Sequence, residues 1–491
     1  MAKRILLALA ALLLLLVAAV AVNTLRQGSR QLDVAPAPPL AVDEKAVADK
    51  LSAAIRLQTI SSLDDPKLNA EEFRKLHALL QERFPRVHAT LQREVVNGLS
   101  LLYTWKGTDS GAKPVAFMAH QDVVPIAPGT ERNWQAAPFS GEQKDGYVWG
   151  RGAWDDKGNL IAQLEAVEML LAAGFQPRQT VYIIAGADEE VGGQRGAVEI
   201  ARMLQERKVR LDFVIDEGLV LTEGILPGIK APAALVGVAE KGYVTVQLTV
   251  AAPPGHASMP PPPGTTAIAR MGAALKRLDD EQFPPKLEGV ARELFETLAP
   301  EMPGFQRVAL SNLWLFRPLL ESQLAKGPST NAMLRTTTAL TIVNAGNKSN
   351  VIPGQAEATL DYRILPGDST EKVLQHVRAK AGPGFEVKAV GGSTEPTPVS
   401  STAAASYYQM QRTLRAVFPG TLVAPALYIA GSDSHHFVPI ADSIYRFSPV
   451  RVKPEDLGRL HGTNERIAIA NLGELVRFYH QLLRNLNAPA P

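Results

Sequence analysis

The sequence contains no cysteine. Disulfides, thiolate zinc sites and a cysteine nucleophile are therefore excluded, and the chain is compatible with an oxidising compartment. It also lacks an excess of charge of either sign. Lys and Arg number 51 against 49 Asp and Glu, a formal net charge of +2, which gives no reason to expect nucleic acid as a partner. Internal repeats and long low-complexity segments are absent. So is a dinucleotide fingerprint, because Gly150-x-Gly152 does not complete G-x-G-x-x-G. What remains is a chain of 491 residues, 46% apolar and 20% charged. Such a chain is globular, with ample core and a length that suits two or three domains.

One long apolar run is present, at the N-terminus. Lys3 and Arg4 precede Ile5–Val22, a charged start followed by a hydrophobic segment. Ala19-Val20-Ala21 supplies the small residues of a cleavage site, and the run is near the lower limit of ~17–25 residues for a spanning helix. A cleaved signal peptide and a retained anchor both stand. A buried core helix does not, because the segment is terminal, has no polar face and runs into Arg26 and Arg30. Either reading places the rest of the chain outside the cytoplasm, exported or membrane-anchored. Residues 33–42 are rich in Pro and Ala and read as linker. The expected order is thus signal or anchor over 1–25 and linker over 26–43.

Beyond the linker, helical spacing over 44–83 breaks at Asp64-Asp65-Pro66. Three short apolar runs then read as buried strands: Pro114–Ala119, Thr180–Ala185 and Leu211–Ile215. Leu160, Leu164, Val167, Leu170 and Leu171 share one face of a helix between the first two, with Gly174 at its end. Strands alternating with helices predict a largely parallel sheet flanked by helices, an α/β domain. Near residue 240 the pattern changes. Tyr243–Val250 alternates strictly, as a half-buried antiparallel strand does. Strands at 339–343 and 356–363 and helices at 265–277 and 370–381 complete an inserted α+β domain. Helix 404–417, strand 421–429 and a final helix at 468–486 return to the first pattern. The α/β domain is therefore expected to be discontinuous, 44–238 plus 389–487, around an insert at 239–388.

Five motifs carry the chemistry. They are M-A-H-Q-D (His120, Asp122), G-R-G-A-W-D-D-K-G (Asp155, Asp156), G-A-D-E-E-V-G-G (Glu189, Glu190), V-I-D-E-G (Asp216, Glu217) and R-L-H-G-T-N-E (His461). Two imidazoles with several carboxylates suit zinc, cobalt or manganese and leave acids for proton transfer. Three motifs sit at strand ends, where sites form in such sheets. His120 offers a ring nitrogen, and Asp122 is placed to orient it. Asp155 or Asp156 can bridge two cations, although an aspartate opening a helix is also an ordinary cap. Asp188-Glu189-Glu190 is a run of anions that needs cations for compensation. One Glu would ligate and the other would take the proton of the attacking water.

Together these motifs resemble the di-zinc metallopeptidase family of carboxypeptidase S, aminoacylase, glutamate carboxypeptidase and acetylornithine deacetylase. The resemblance covers roughly residues 45–487 and adds Gly255-His-Ala-Ser258. The segment 280–335, Phe447-Ser448-Pro449 and His461–Glu465 look most like the carboxypeptidase S branch. That branch includes secreted enzymes that hydrolyse, and form, N-fatty-acyl amino acids. The resemblance implies two zincs per subunit, held by His120, Asp155, Glu190, one of Asp216 and Glu217, and His461, with Asp155 bridging. It implies that Glu189 is the general base, Asp122 orients His120, and the Asp155–Asp156 bond is cis. His256 corresponds to an oxyanion-stabilising histidine that dimeric relatives supply from the neighbouring subunit. Asn350, Arg363 and the turn at Gly431 match residues that bind the substrate's backbone and carboxylate. His435 stands where relatives often carry Arg.

The expected activity is amide hydrolysis that releases an amino acid with a free carboxylate from a short peptide or an N-acyl amino acid. The alternatives are a deacylase of acetylated or succinylated amino acids and a non-catalytic, membrane-tethered binding protein. Expected associations are with a membrane through the N-terminus and with a second copy through the insert, as a lid and dimerisation domain.

Overall fold

The three apolar runs lie side by side in the computed structural model, which describes residues 1–487. In chain order come α1 (Ala2–Arg26), α2 (Glu44–Ile55), α3 (Ala70–Arg83), α4 (Pro85–Thr90), β1 (Gln92–Val96), β2 (Ser100–Trp105) and β3 (Val115–His120). There follow β4 (Glu142–Lys144), β5 (Tyr147–Trp149), α5 (Lys157–Ala172), β6 (Val181–Gly186), α6 (Ala197–Glu206), β7 (Leu211–Thr222) and β8 (Ala233–Glu240). Next are β9 (Gly242–Ala251), β10 (Gly255–His256), α7 (Ala267–Asp280), α8 (Gly289–Leu298), α9 (Gly304–Ser311), α10 (Leu313–Leu324) and α11 (Pro328–Leu334). The remainder is β11 (Thr337–Ala345), β12 (Val351–Ile352), β13 (Gln355–Ile364), α12 (Thr370–Ala381), β14 (Phe385–Thr394), α13 (Ala405–Val417), β15 (Leu422–Tyr428), β16 (Ala441–Val452), β17 (Arg466–Ala468) and α14 (Ile469–Asn485).

The main sheet has the order β1-β2-β6-β3-β7-β16-β8-β15. Its centre, β6-β3-β7-β16, is parallel, as is the pair β8–β15. The β1–β2 edge and the β16–β8 junction are antiparallel. β3 and β6 are buried at every residue, because successive side chains enter different cores. Phe117, Ile183, Phe213 and Ile215 pack with α5 and α14. Ala116, Met118, Ile184 and Val214 pack with α6 on the other face. The helix predicted to bury one face, α5, is buried nearly all round, since α2, α4, α14 and β3 all pack against it. Gly174 follows it with a φ of 69°, as a C-terminal stop requires.

The second sheet, β11-β13-β9-β14, is antiparallel. Val244, Val246, Leu248 and Val250 point to one side and pack on α7 and α12. Two regions depart from expectation. The helices α8 and α9, assigned to the insert, bury Leu294, Leu298 and Leu310 against Leu422, Ala424 and Ala426 of β15. They cover the outer strand of the main sheet rather than the second sheet. The expected linker over 26–43 is a strap. The Gln31 side-chain amide both donates to the Val423 carbonyl and accepts from its N–H, at 3.1 and 2.7 Å. Ala37 donates to Ala416 O at 2.8 Å, Arg415 to Leu32 O at 3.0 Å, and Arg477 to Leu40 O at 3.2 Å.

Candidate metal centre

β3 delivers His120 at its carboxyl end, buried. Nδ1 lies 2.9 Å from the Asp122 carbonyl. A carbonyl only accepts, so Nδ1 carries the proton and the Nε2 lone pair is free. Nε2 points at Asp155 Oδ1, 2.9 Å away, with Glu217 Oε1 at 3.6 Å. The other Asp155 oxygen, Oδ2, lies 3.0 Å from His461 Nε2. One carboxylate thus offers a separate oxygen to each imidazole. The Asp155–Asp156 peptide is cis, and the Asp156 carboxylate accepts the His120 N–H at 3.3 Å.

β6 ends at Gly186, and a short turn carries Glu189 and Glu190. Their N–H groups donate to the two oxygens of Asp122 at 3.2 and 3.1 Å, and Ser61 Oγ donates to the same carboxylate at 2.6 Å. Asp122 therefore ties the end of β3 to the acidic turn. Its carboxylate is farther from the His120 ring, at 3.4 Å, than its carbonyl is. Glu190 Oε2 approaches His461 Nε2 to 3.3 Å, while its Oε1 is buried without a protein partner.

β7 was expected to end before Asp216. It runs on to Thr222 through a bulge: Asp216 faces Arg446 but Leu219 faces the next residue, Phe447. The extra residues turn Glu217 towards His120. Gly218, at a φ of 145°, permits the bend; a Cβ there would meet Arg446 Cβ at 2.8 Å. Asp216 uses both oxygens on backbone N–H groups, those of Glu217 at 2.9 Å and Ser434 at 2.8 Å. Of the two acids left open by the sequence, Glu217 faces the cluster and Asp216 braces the backbone.

Charge crowding shows in the proton affinities. Burial pushes Glu189 and Glu217 well above the usual carboxylate range, and Asp155 adds to the rise at Glu217. Hydrogen bonds that its ring N–H donates to Asp155 and Glu190 push His461 up to about 10. Burial works against protonation of His120, yet Glu217, Asp122 and Asp155 together hold its affinity well above normal. Burial likewise opposes the charge on Asp155, and the two imidazoles overcome it and lower its value. Such a site holds cations in place of protons. Candidate ligand atoms of His120, Asp155 and Glu190 lie within 4.8 Å of one another, as do those of His120, Asp156 and Glu217. Nitrogen and oxygen donors with an orphaned buried carboxylate oxygen fit zinc, cobalt or manganese.

The expected substrate residues lie apart. His256 is exposed on β10, and its Nδ1 accepts the Ser258 N–H at 3.2 Å, which leaves Nε2–H as a donor. The Asn350 carbonyl accepts from Ala257 N at 3.1 Å, so Asn350 and the His256 turn adjoin. Arg363 donates to Asp361 on the same strand at 3.0 Å. Gly431 begins the turn in which Ser432 Oγ donates to Glu240 at 2.8 Å and His435 Nδ1 donates to Ser432 O at 2.6 Å. Among the described residues, no hydrogen bond joins His256, Asn350 or Arg363 to the carboxylate cluster. A cavity of about 660 Å³ lies elsewhere, lined by Phe283, Lys286, Arg335, Thr336, Leu365 and Thr397 among others. None of the cluster residues lines it.

Imidazole and carboxylate donors at the strand ends of a mixed sheet, with a one-faced second sheet in the chain, are matched by the profile of Peptidase family M20/M25/M40 over residues 116–485. The chain belongs to this family. It is a metal-dependent hydrolase of amide bonds. The N-fatty-acyl-amino acid synthase/hydrolase PM20D1 of Xenopus tropicalis is 42% identical over 456 residues, 91% of this chain and 88% of that protein. The probable carboxypeptidase S-like 2 of Dictyostelium discoideum is 39% identical over 474 residues, 94% of this chain and 90% of its own length. In fold, the chain resembles an M20 family metallo-carboxypeptidase of Sulfolobus solfataricus. The TM-score is 0.63 at 18% identity, over 91% of this chain and 99% of that one.

Two further residues of this M20 site, Glu465 and Arg151, brace it from behind. Glu465 Oε1 accepts the N–H groups of Trp154 and Asp155 at 2.9 and 3.2 Å. Its other oxygen pairs with buried Arg151 at 2.7 Å. Arg151 also donates to the carbonyls of His461 and Gly462, each at 3.1 Å. The pair thereby couples Asp155 to His461, 306 residues apart in the chain. Its signal is the acid four residues after His461 and the arginine between two glycines.

Proposed function

We propose that this M20 chain is a two-zinc amidohydrolase that releases amino acids from N-acyl amino acids, long-chain ones included, and from short peptides. The observation that carries the reading is Asp155, with one oxygen within 3.0 Å of each imidazole. His120 and Glu217 would hold one ion, His461 and Glu190 the other, and Asp155 both. When bound, such a pair supplies the Lewis acidity that polarises the scissile carbonyl. Glu189 takes the proton of the attacking water and passes it to the leaving nitrogen. Its raised proton affinity suits that return step. His256, with Nε2–H free, donates to the oxyanion. Arg363 grips the substrate carboxylate, since its fork matches two oxygens; Asn350 and the Gly431 turn hold the backbone.

The identities of 42% and 39% to an N-fatty-acyl-amino acid synthase/hydrolase and a probable carboxypeptidase S-like protein support this substrate class. A homodimer through the second sheet accompanies the reading. β11 is its edge strand, and Leu340, Ile342 and Val343 are exposed there. His256 would then serve the partner's cluster. The test is Glu189→Gln, assayed for free amino acid released from N-acyl amino acids and peptides. Metal content should persist while turnover falls at least ~100-fold. Retained turnover removes Glu189 from the role, and cleavage of only acetyl or succinyl substrates favours the small-acyl deacylase.

A further inference from the structure

We propose that α9 and α10 form a bilayer seat: the body of the enzyme rests on the lipid surface that α1 crosses, with Phe305, Trp314, Leu315 and Leu319 in the interface. Two independent features meet here. The first is α1, 25 residues with a mean hydropathy of 3.2 over its most apolar stretch. Its bare part, Ile5–Val22, is about 27 Å long at ~1.5 Å per residue, close to the ~30 Å of a hydrocarbon core. Lys3 and Arg4 lie at its far end, the side that positive residues retain.

The second is α10, in which no residue is fully buried despite the sequence Leu-Trp-Leu-Phe at its start. Trp314 and Leu315 are 61% and 38% exposed, Leu319 is 48% exposed, and Phe305 on α9 is 62% exposed. Positions 314, 315, 318 and 319 form one stripe of a helix. Phe305 stacks edge-on against Phe316, at 5.5 Å between ring centres, and extends the stripe.

A polar joint fixes the two features against each other. Asn23 donates to Ser311 O at 2.6 Å and to Asn312 Oδ1 at 3.1 Å. Asn312 donates to buried Thr24 Oγ1 at 2.9 Å, and Trp314 Nε1 donates to Asn312 Oδ1 at 3.2 Å. Asn312 thus holds the emerging end of α1 with one hand and Trp314 with the other. A membrane that contains α1 up to Val22 meets Trp314 within a turn of helix. An indole with its N–H satisfied on the protein side suits that depth. A short apolar stripe beside a spanning helix adds area at the interface without crossing it.

The absence of cysteine allows a direct test. W314C and L319C, with E142C on exposed β4 as control, are introduced singly into the full chain, spin-labelled and reconstituted in phosphatidylcholine–phosphatidylglycerol vesicles. Each variant must retain its amide hydrolysis to be counted. Labels at 314 and 319 should collide with dissolved oxygen and be shielded from a water-soluble nickel complex, with the reverse at 142. Equal nickel access at all three positions overturns the seat. So does shielding that disappears when vesicles hold no more than one chain each, because the cover is then a second copy. The inference rests on α1 and not on the substrate assignment, so either can fail alone.

Discussion

The carboxylate cluster and the polar group of His256, Asn350 and Arg363 are held in opposite ways. At the cluster every acid is placed by another bond. Asp122 clamps the acidic turn, Glu465 clamps the Asp155 backbone, and Asp216 clamps Glu217 and Ser434. These groups are buried in a body with cores on both faces of its sheet. His256 and Asn350 sit exposed on a two-residue strand and its neighbouring turn, and Arg363 leans on a strand neighbour. The first region is complete within one chain. The second presents donors outward, as a surface does that acts on something brought to it. Folding alone supplies the preorganisation at the cluster; under the proposed dimer, assembly would supply it at the second region.

The contrast is testable at both ends. Asp155→Asn, which weakens both imidazole-facing oxygens, should abolish turnover by more than the ~10–100-fold expected of an outer partner. Elemental analysis should find fewer than two metals per chain; unchanged metal and rate would show that the bridge is dispensable. His256→Ala should lower kcat by ~100–1,000-fold, the span of a lost oxyanion donor. Its metal content should be unchanged, and its stability should shift by less than ~0.5 kcal/mol, as at other exposed positions. A drop in metal content would erase the distinction between the two regions. Glu465→Gln leaves buried Arg151 without its ion pair and should destabilise by ~3–5 kcal/mol, with metal affinity down ~10–100-fold. Denaturant unfolding and a chelator competition would read the two effects.

The smallest effect lies away from both regions. Burial lowers His480 to about 4, below its ~6.5 in an unfolded chain. Its folded value is depressed, so the unfolded state binds the proton more readily. The stability gained by keeping it neutral is present above pH ~6.5 and is lost as pH falls through about 4. His480→Gln should flatten the decline in Tm over that window and leave the rate at pH 7 unchanged.

Much of this was legible in the sequence. β3 and β6 announce themselves because strands buried on both faces are continuously apolar, and His120 and the Glu189-Glu190 pair follow them directly. The strict alternation of β9 likewise marks a sheet with one buried face. The choice between Asp216 and Glu217 was not legible. It depends on a bulge, and a bulge is set by the partner strand β16, which lies more than 200 residues downstream. β16 itself is hard to read as a strand, because a central strand carrying Arg446, Ser448 and Pro449 lacks the apolar run of its neighbours. Arg446 is tolerated there through its 2.7 Å pair with buried Glu240. The placement of α8 and α9 was hidden for a related reason. Their apolar faces say that they pack, and only the exposed flank of β15 says where.

Gln31 carries a consequence beyond the fold. Its side chain occupies the N–H and the carbonyl of Val423 on β15, the edge strand of the main sheet. A cut between Arg26 and Gly28 would part α1 from the body with that plug still in place. A cut a few residues later would strip the plug and leave a ready template for strand addition by another chain.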